Sequence, residues 1–188
     1  MEKIVRNITV VEDKARNIRI NHGLTQKEFE EMLGISKSYV SDIENGYTGL
    51  SVEHINKICN NYNVSFDYMF GFCEKINRNI IKVEKIDLKL LGSHLKEIRK
   101  ELNITQDKMA QKLNISRPLV THYEKGVRTI RTADLKGICE LSGVSADWCV
   151  GKLNYKLRIK ANKKIKPKEI KELMGVWSFL ANPEFIPD

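Results

Sequence analysis

Two 22-residue stretches, 80 positions apart, constrain this chain more than anything else in it. Residues 25–46 read TQKEFEEMLGISKSYVSDIENG and residues 105–126 read TQDKMAQKLNISRPLVTHYEKG. The alignment runs without a gap from 15/95 to 71/151, and 16 of those 57 positions are identical. They include Ile18/Ile98, Arg19/Arg99, Gln26/Gln106, Leu33/Leu113, Ser36/Ser116, Val40/Val120, Glu44/Glu124 and Gly46/Gly126. Self-similarity at a fixed offset marks two copies of one fold unit. For 188 residues that means two small domains.

Each stretch reads as two short helices joined by a tight bend. In the later copy Thr105 can cap the first helix, whose inner face is Met109, Ala110 and Leu113. Asn114 stands at the bend, where a residue tolerant of the left-handed region is needed. Ser116 is placed to cap the second helix, Val120 and Tyr123 face inward, and Gly126 ends it. Arg117, Thr121, His122 and Lys125 are left outside, on a rod of a size to enter a DNA major groove. In the earlier copy Thr25-x-x-Glu28 is a capping box, Phe29, Met32 and Leu33 keep helical period, and Gly34 supplies the bend. Tyr39, Val40 and Ile43 anchor the next helix. A helix at about 12–22 precedes, built on Ala15 and Ile18. A fourth helix follows, capped by Ser51 and carrying Val52, Ile55, Ile58, Cys59 and Tyr62, then a short fifth opened by Ser65. In the second copy Asp87 starts the first helix early, through Leu88, Leu91, Leu95 and Ile98. Five helices in so few residues make a small core, so each copy alone should be marginally stable.

The expected layout is an N-terminal segment 1–13, a first domain 14–71, a linker 72–91, a second domain 92–151 and a basic tail 152–188. IVRNITVV at 4–11 and IIKVEKI at 80–86 are short and β-branched, and residues 155–160 alternate apolar with basic, the period of a half-buried strand. A minor sheet from these three segments is the resulting expectation. Residues 167–181 open on proline and put Ile170, Leu173, Met174, Trp177 and Leu180 on one helical face. That face either docks on its own domain or pairs with a second chain.

The formal charge of +8 is uneven. The first copy holds six basic and seven acidic side chains, the second ten and seven. A basic excess suits a polyanion, and here it favours the second copy. No apolar run reaches the ~18 residues of a membrane span, and no secretory leader opens the sequence; cytoplasmic placement without membrane contact is expected. Cys59 and Cys139 are repeat-equivalent and read as small core hydrophobes. No metal-ligand spacing, phosphate loop or serine elbow is present, so neither an enzyme nor a cofactor is expected.

The order TQ, apolar residues, bend, Ser, short helix, E-x-G, then VS-x-D at a fifth helix resembles the XRE-type helix-turn-helix class of Cro and phage repressors, over residues 14–71 and 94–151. The resemblance implies an all-α fold of two five-helix, lambda-repressor-like domains, with the C-terminal amphipathic helix outside it. It implies that Gln26 and Gln106 bond a backbone phosphate at a helix start. It assigns base reading to Arg117, Pro118 and His122, with Ser116 and Thr121 alongside; Lys37, Ser38 and Asp42, with Ser41, correspond in the earlier copy. Lys125 or Asn45, with Arg128, would clasp the sugar-phosphate edge. Arg19 with Glu44, and Arg99 with Glu124, match the family's structural ion pair.

The copies differ where it matters. Ala110 suits a close helix crossing; Glu30 at that position either spreads the helices or turns outward. The later reading face offers Arg117, Lys125, Arg128 and Arg131, the earlier one Lys37 against Asp42. The expected function is a sequence-specific regulator bound to double-stranded DNA, a repressor of a phage or mobile element reading mainly with residues 116–125. It would act as two readers in one chain or as a homodimer through the Trp177 helix. The alternative is a protein-binding module on the same fold, with the acidic first copy as the partner surface: an antitoxin or an anti-CRISPR-type inhibitor.

Overall fold

Helix starts and stops fall where the local chemistry puts them. The structure, a computed structural model, describes residues 10–74 and 80–159. The first copy comprises α1 (Val10–Asn21), α2 (Gln26–Leu33), α3 (Lys37–Glu44), α4 (Val52–Tyr62) and α5 (Phe66–Met69). The second comprises α6 (Leu88–Glu101), α7 (Gln106–Leu113), α8 (Arg117–Glu124), α9 (Thr132–Ser142) and α10 (Ala146–Cys149). Thr25 and Glu28 form a full capping box on α2, Thr105 caps α7, Ser51 caps α4 and Asp87 caps α6. The bends are left-handed, with φ of 70° at Gly34 and 52° at Asn114.

Ser116 is the exception among these caps. Its side chain makes no capping bond, and Pro118, in the first turn, has no N–H to give. The Leu119 N–H turns instead to the Ser116 carbonyl, at 3.1 Å. The equivalent Ser36 hydroxyl accepts from Tyr39 N–H at 3.3 Å.

One apolar core runs through both copies. Phe29, Leu33, Val40, Ile43, Ile55 and Ile58 come from the first; Leu95, Ile98, Met109, Val120, Leu135 and Ile138 come from the second. Cys59, Cys139 and Cys149 are buried thiols, and burial pushes Cys59 and Cys139 well above the usual thiol range. Ala110 is buried at its crossing, while Glu30 stays half exposed. The copies part at the first helix. A Cβ on Gly92 would lie 2.5 Å from the Tyr123 carbonyl oxygen, so α6 meets the end of α8 backbone to backbone. The equivalent Glu12 is buried instead, and its carboxylate accepts from Leu50 N–H at 3.1 Å.

The expected minor sheet does not form among the described residues. Val10 and Val11 already belong to α1, and residues 4–9 lie outside the described ones. Residues 80–86 are irregular and lie against α4, where the Asn56 and Asn60 amides hold the Val83 carbonyl at 2.7 and 2.8 Å. The alternating segment makes one antiparallel bridge, Val144 with Arg158. Its basic residues are drawn to α6 instead: Lys156 pairs with Glu97 at 3.0 Å and Glu101 at 2.5 Å, and Arg158 with Glu101 at 3.3 Å. The helix expected at 167–181 lies outside the described residues. Among the described residues no helix is long and apolar enough to cross a membrane, and no His/Cys/Asp/Glu group could hold a metal ion.

Candidate nucleic-acid interface

Burial of Val120 and Tyr123 fixes which way α8 faces. Ser116, Arg117, Pro118, His122 and Lys125 are exposed and Thr121 half-buried, with Arg128 exposed in the loop beyond. In the first copy Lys37, Ser38 and Asp42 are exposed, with Ser41 and Asn45 half-buried. One side of each short helix thus gathers that copy's candidate residues.

Beneath each face lies an ion pair tying the first helix of the copy to the third. Arg99 Nε and Nη2 donate to the two Glu124 oxygens at 2.5 and 3.1 Å, and Nη1 to the Ile104 carbonyl at 3.1 Å. Arg19 does the same with Glu44 at 2.5 and 3.0 Å, and with the Leu24 carbonyl at 2.7 Å. Burial alone would raise the Glu44 pKa. Hydrogen bonds from Arg19 and Gln26, with the Arg19 and Arg16 charges, outweigh it and hold the carboxyl below its ordinary range.

The glutamines sit on these pairs. Gln26 Nε2 donates to Glu44 at 2.9 Å, and Gln106 Nε2 to Glu124 at 2.8 Å. In the second copy alone the Thr121 hydroxyl reaches Gln106 Oε1, at 3.1 Å. That contact orients the amide, so its second N–H is directed rather than left to rotate. Ser41, the counterpart of Thr121, instead receives the Asn45 amide at 3.2 Å. Sequence reasoning missed this link; its signal is the Thr121/Ser41 difference between the two copies.

Two arginines are less free than the sequence suggested. Arg117 Nε lies 3.6 Å from Asp107 Oδ1, with both side chains mostly exposed; such a surface pair is worth little and opens readily. Arg131 grips Asp134 with two bonds, at 2.7 and 2.9 Å, and Tyr123 donates to the same carboxylate at 2.7 Å. Arg131 is thereby committed to α9. Sequence reasoning also passed over Tyr47 and Val127, equivalent residues 59% and 67% exposed beside α3 and α8. Apolar side chains there suit contact with sugars or thymine methyls.

The Helix-turn-helix family matches the chain twice, at residues 16–69 and 95–149. Antitoxin PezA of Streptococcus pneumoniae is 37% identical over 82 residues, 44% of this chain and 49% of that protein. The uncharacterized HTH-type transcriptional regulator YqaE of Bacillus subtilis is 34% identical over 86 residues, 46% of this chain and 68% of that protein. HTH-type transcriptional regulator ImmR of Bacillus subtilis is 39% identical over 62 residues, 33% of this chain and 49% of that protein. The chain thus spans about half the length of two of these relatives. No solved structure matches.

Proposed function

The chain belongs to the Helix-turn-helix family, in two copies, and from that premise we propose that it is a regulator that binds double-stranded DNA and reads it mainly with α8. The carrying observation is the face of that helix. Arg117 and Lys125 stand exposed beside a glutamine whose amide is oriented by Thr121 and Glu124. Gln106 donates its remaining N–H to a phosphate at the start of α7, Arg117 leaves Asp107 for a guanine edge, and Lys125 and Arg128 lie along the backbone. A bidentate arginine–guanine contact discriminates by about 1–3 kcal/mol. In the first copy, Lys37 against Asp42 makes α3 the weaker reader. Repression of a phage or mobile element by occluding a promoter is the finer form of this reading. The two regulators among the relatives support the regulatory role.

Binding to duplexes selected from a random pool tests it. The pair Arg117→Ala/His122→Ala should weaken the preferred site more than Lys37→Ala/Ser41→Ala; the reverse order overturns the assignment of α8. The antitoxin relative favours a second reading, in which the first copy docks a protein partner. Salt titration separates the two: a DNA reader shows a log–log slope of about −0.9 per neutralised phosphate, and a pure protein binder shows none.

A further inference from the structure

The two copies meet through matching residues. Asp147 accepts hydrogen bonds from the backbone N–H groups of Phe66 at 2.8 Å and Asp67 at 3.1 Å, at the start of α5. Asp67 accepts from the Ala146 N–H and the Ser145 hydroxyl, both at 2.7 Å, at the start of α10. Asp67 and Asp147 are the same position of the two copies, 80 residues apart. Contacts in which each member reaches its counterpart's neighbours define an isologous, two-fold interface, here inside one chain. Ser65, Asp67, Ser145 and Asp147 are fully buried. The first N–H groups of a helix lack intrahelical partners, and each copy supplies acceptors for the other.

A second contact between the copies lies at the loops leaving α3 and α8. The Thr132 hydroxyl donates to the Leu50 carbonyl at 2.5 Å, and residues 49–51 and 130–133 line one shallow cleft of about 380 Å³. Leu50 and Ile130 are equivalent positions, so the loops leaving α3 and α8 line this cleft together. The linker and the segment after α10 add their own ties. Lys152 donates from Nζ to Asn60 at 2.5 Å, and its carbonyl accepts from Ile81 N–H at 2.9 Å.

We infer that the copies form one two-reader unit, its spacing set by the reciprocal Asp67/Asp147 caps, and that a single chain occupies a duplex site made of two unlike half-sites. The half-sites differ because Arg117, Pro118, Thr121 and His122 face one and Lys37, Ser38, Ser41 and Asp42 the other. This rests on the DNA reading proposed above. Tethering makes the second reader's engagement intramolecular, which raises avidity by roughly 10²–10⁴-fold when geometry permits and by nothing when it does not.

The full chain, bound to its selected duplex, is weighed by sedimentation and footprinted, then tested on duplexes with about 5 bp, half a helical turn, inserted at the site centre. One chain per duplex, two unlike protected halves and an affinity loss of about 10²-fold on insertion support the inference. Arg117→Ala should relax base preference in one half only and Lys37→Ala in the other. Two chains on identical halves, or indifference to the insertion, overturn it while leaving the DNA reading intact. Equal binding to every duplex overturns the DNA reading, and this inference with it.

Discussion

Glu124 accepts from three donors at once, two on Arg99 and one on Gln106. Both charges are largely buried, at 13% and 5% side-chain exposure, so removing one strands the other. Glu124→Ala should lower the unfolding free energy by about 3–5 kcal/mol, read from urea denaturation of the full chain. A loss under about 1 kcal/mol, the value of an exposed pair, would mean the pair is solvated. At this scale the sequence was readable only in part. Resemblance suggested the pairing of Arg99 with Glu124, since residues 25 apart carry no local signal of contact. The Thr121–Gln106 bond and the Arg131–Asp134 fork were not readable, because side-chain hydrogen bonds depend on rotamers that packing alone decides. Arg131 looked like one more cation on a basic face; the structure commits it to α9.

Elements were the most legible scale, because their signals are local. Thr25-x-x-Glu28, the serines before α4 and α5, and the left-handed Gly34 and Asn114 act within a turn of where they stand. Two signals misled. Ser116 precedes α8 as an N-cap should, yet Pro118 removes one of the N–H groups a cap would bond. The alternation at residues 155–159 yields one antiparallel bridge, Val144 with Arg158, rather than a sheet, while Lys156 and Arg158 pair with α6 and Lys156 lies over the Trp148 ring at 4.8 Å. The Gly92 contact was also unreadable, since a glycine inside a helical pattern says nothing of what approaches it. Its tightness makes a prediction. Gly92→Ala, although favoured by helix propensity, forces a methyl against two backbone carbonyls and should cost about 1–3 kcal/mol as overpacking does. A lowered Tm would report it; a raised one would show that α6 can retreat.

Across the whole molecule, the buried aspartates join what the repeat divides. Small cores of this size are marginal alone, and the α5–α10 contact lets each copy complete the other. Calorimetry of the unaltered chain should therefore give one cooperative transition rather than two. Asp147→Ala leaves the Phe66 and Asp67 N–H groups buried without that acceptor and should cost about 1–3 kcal/mol. Two separated transitions in the unaltered chain would contradict the joint core. This interface was invisible in sequence, because an acid in the first turn of a helix reads as serving that helix's own dipole. The available hint was that Ser-x-Asp stays fixed in both copies while the residue between changes from Phe66 to Ala146.

The internal two-fold also alters how such a molecule can change. In a pair of identical subunits every substitution is inherited by both halves, so a gain on one side is tied to the same alteration on the other. Here a mutation at residue 37 or 117 falls on one side only. Each half can drift in sequence while its twin stays as it was.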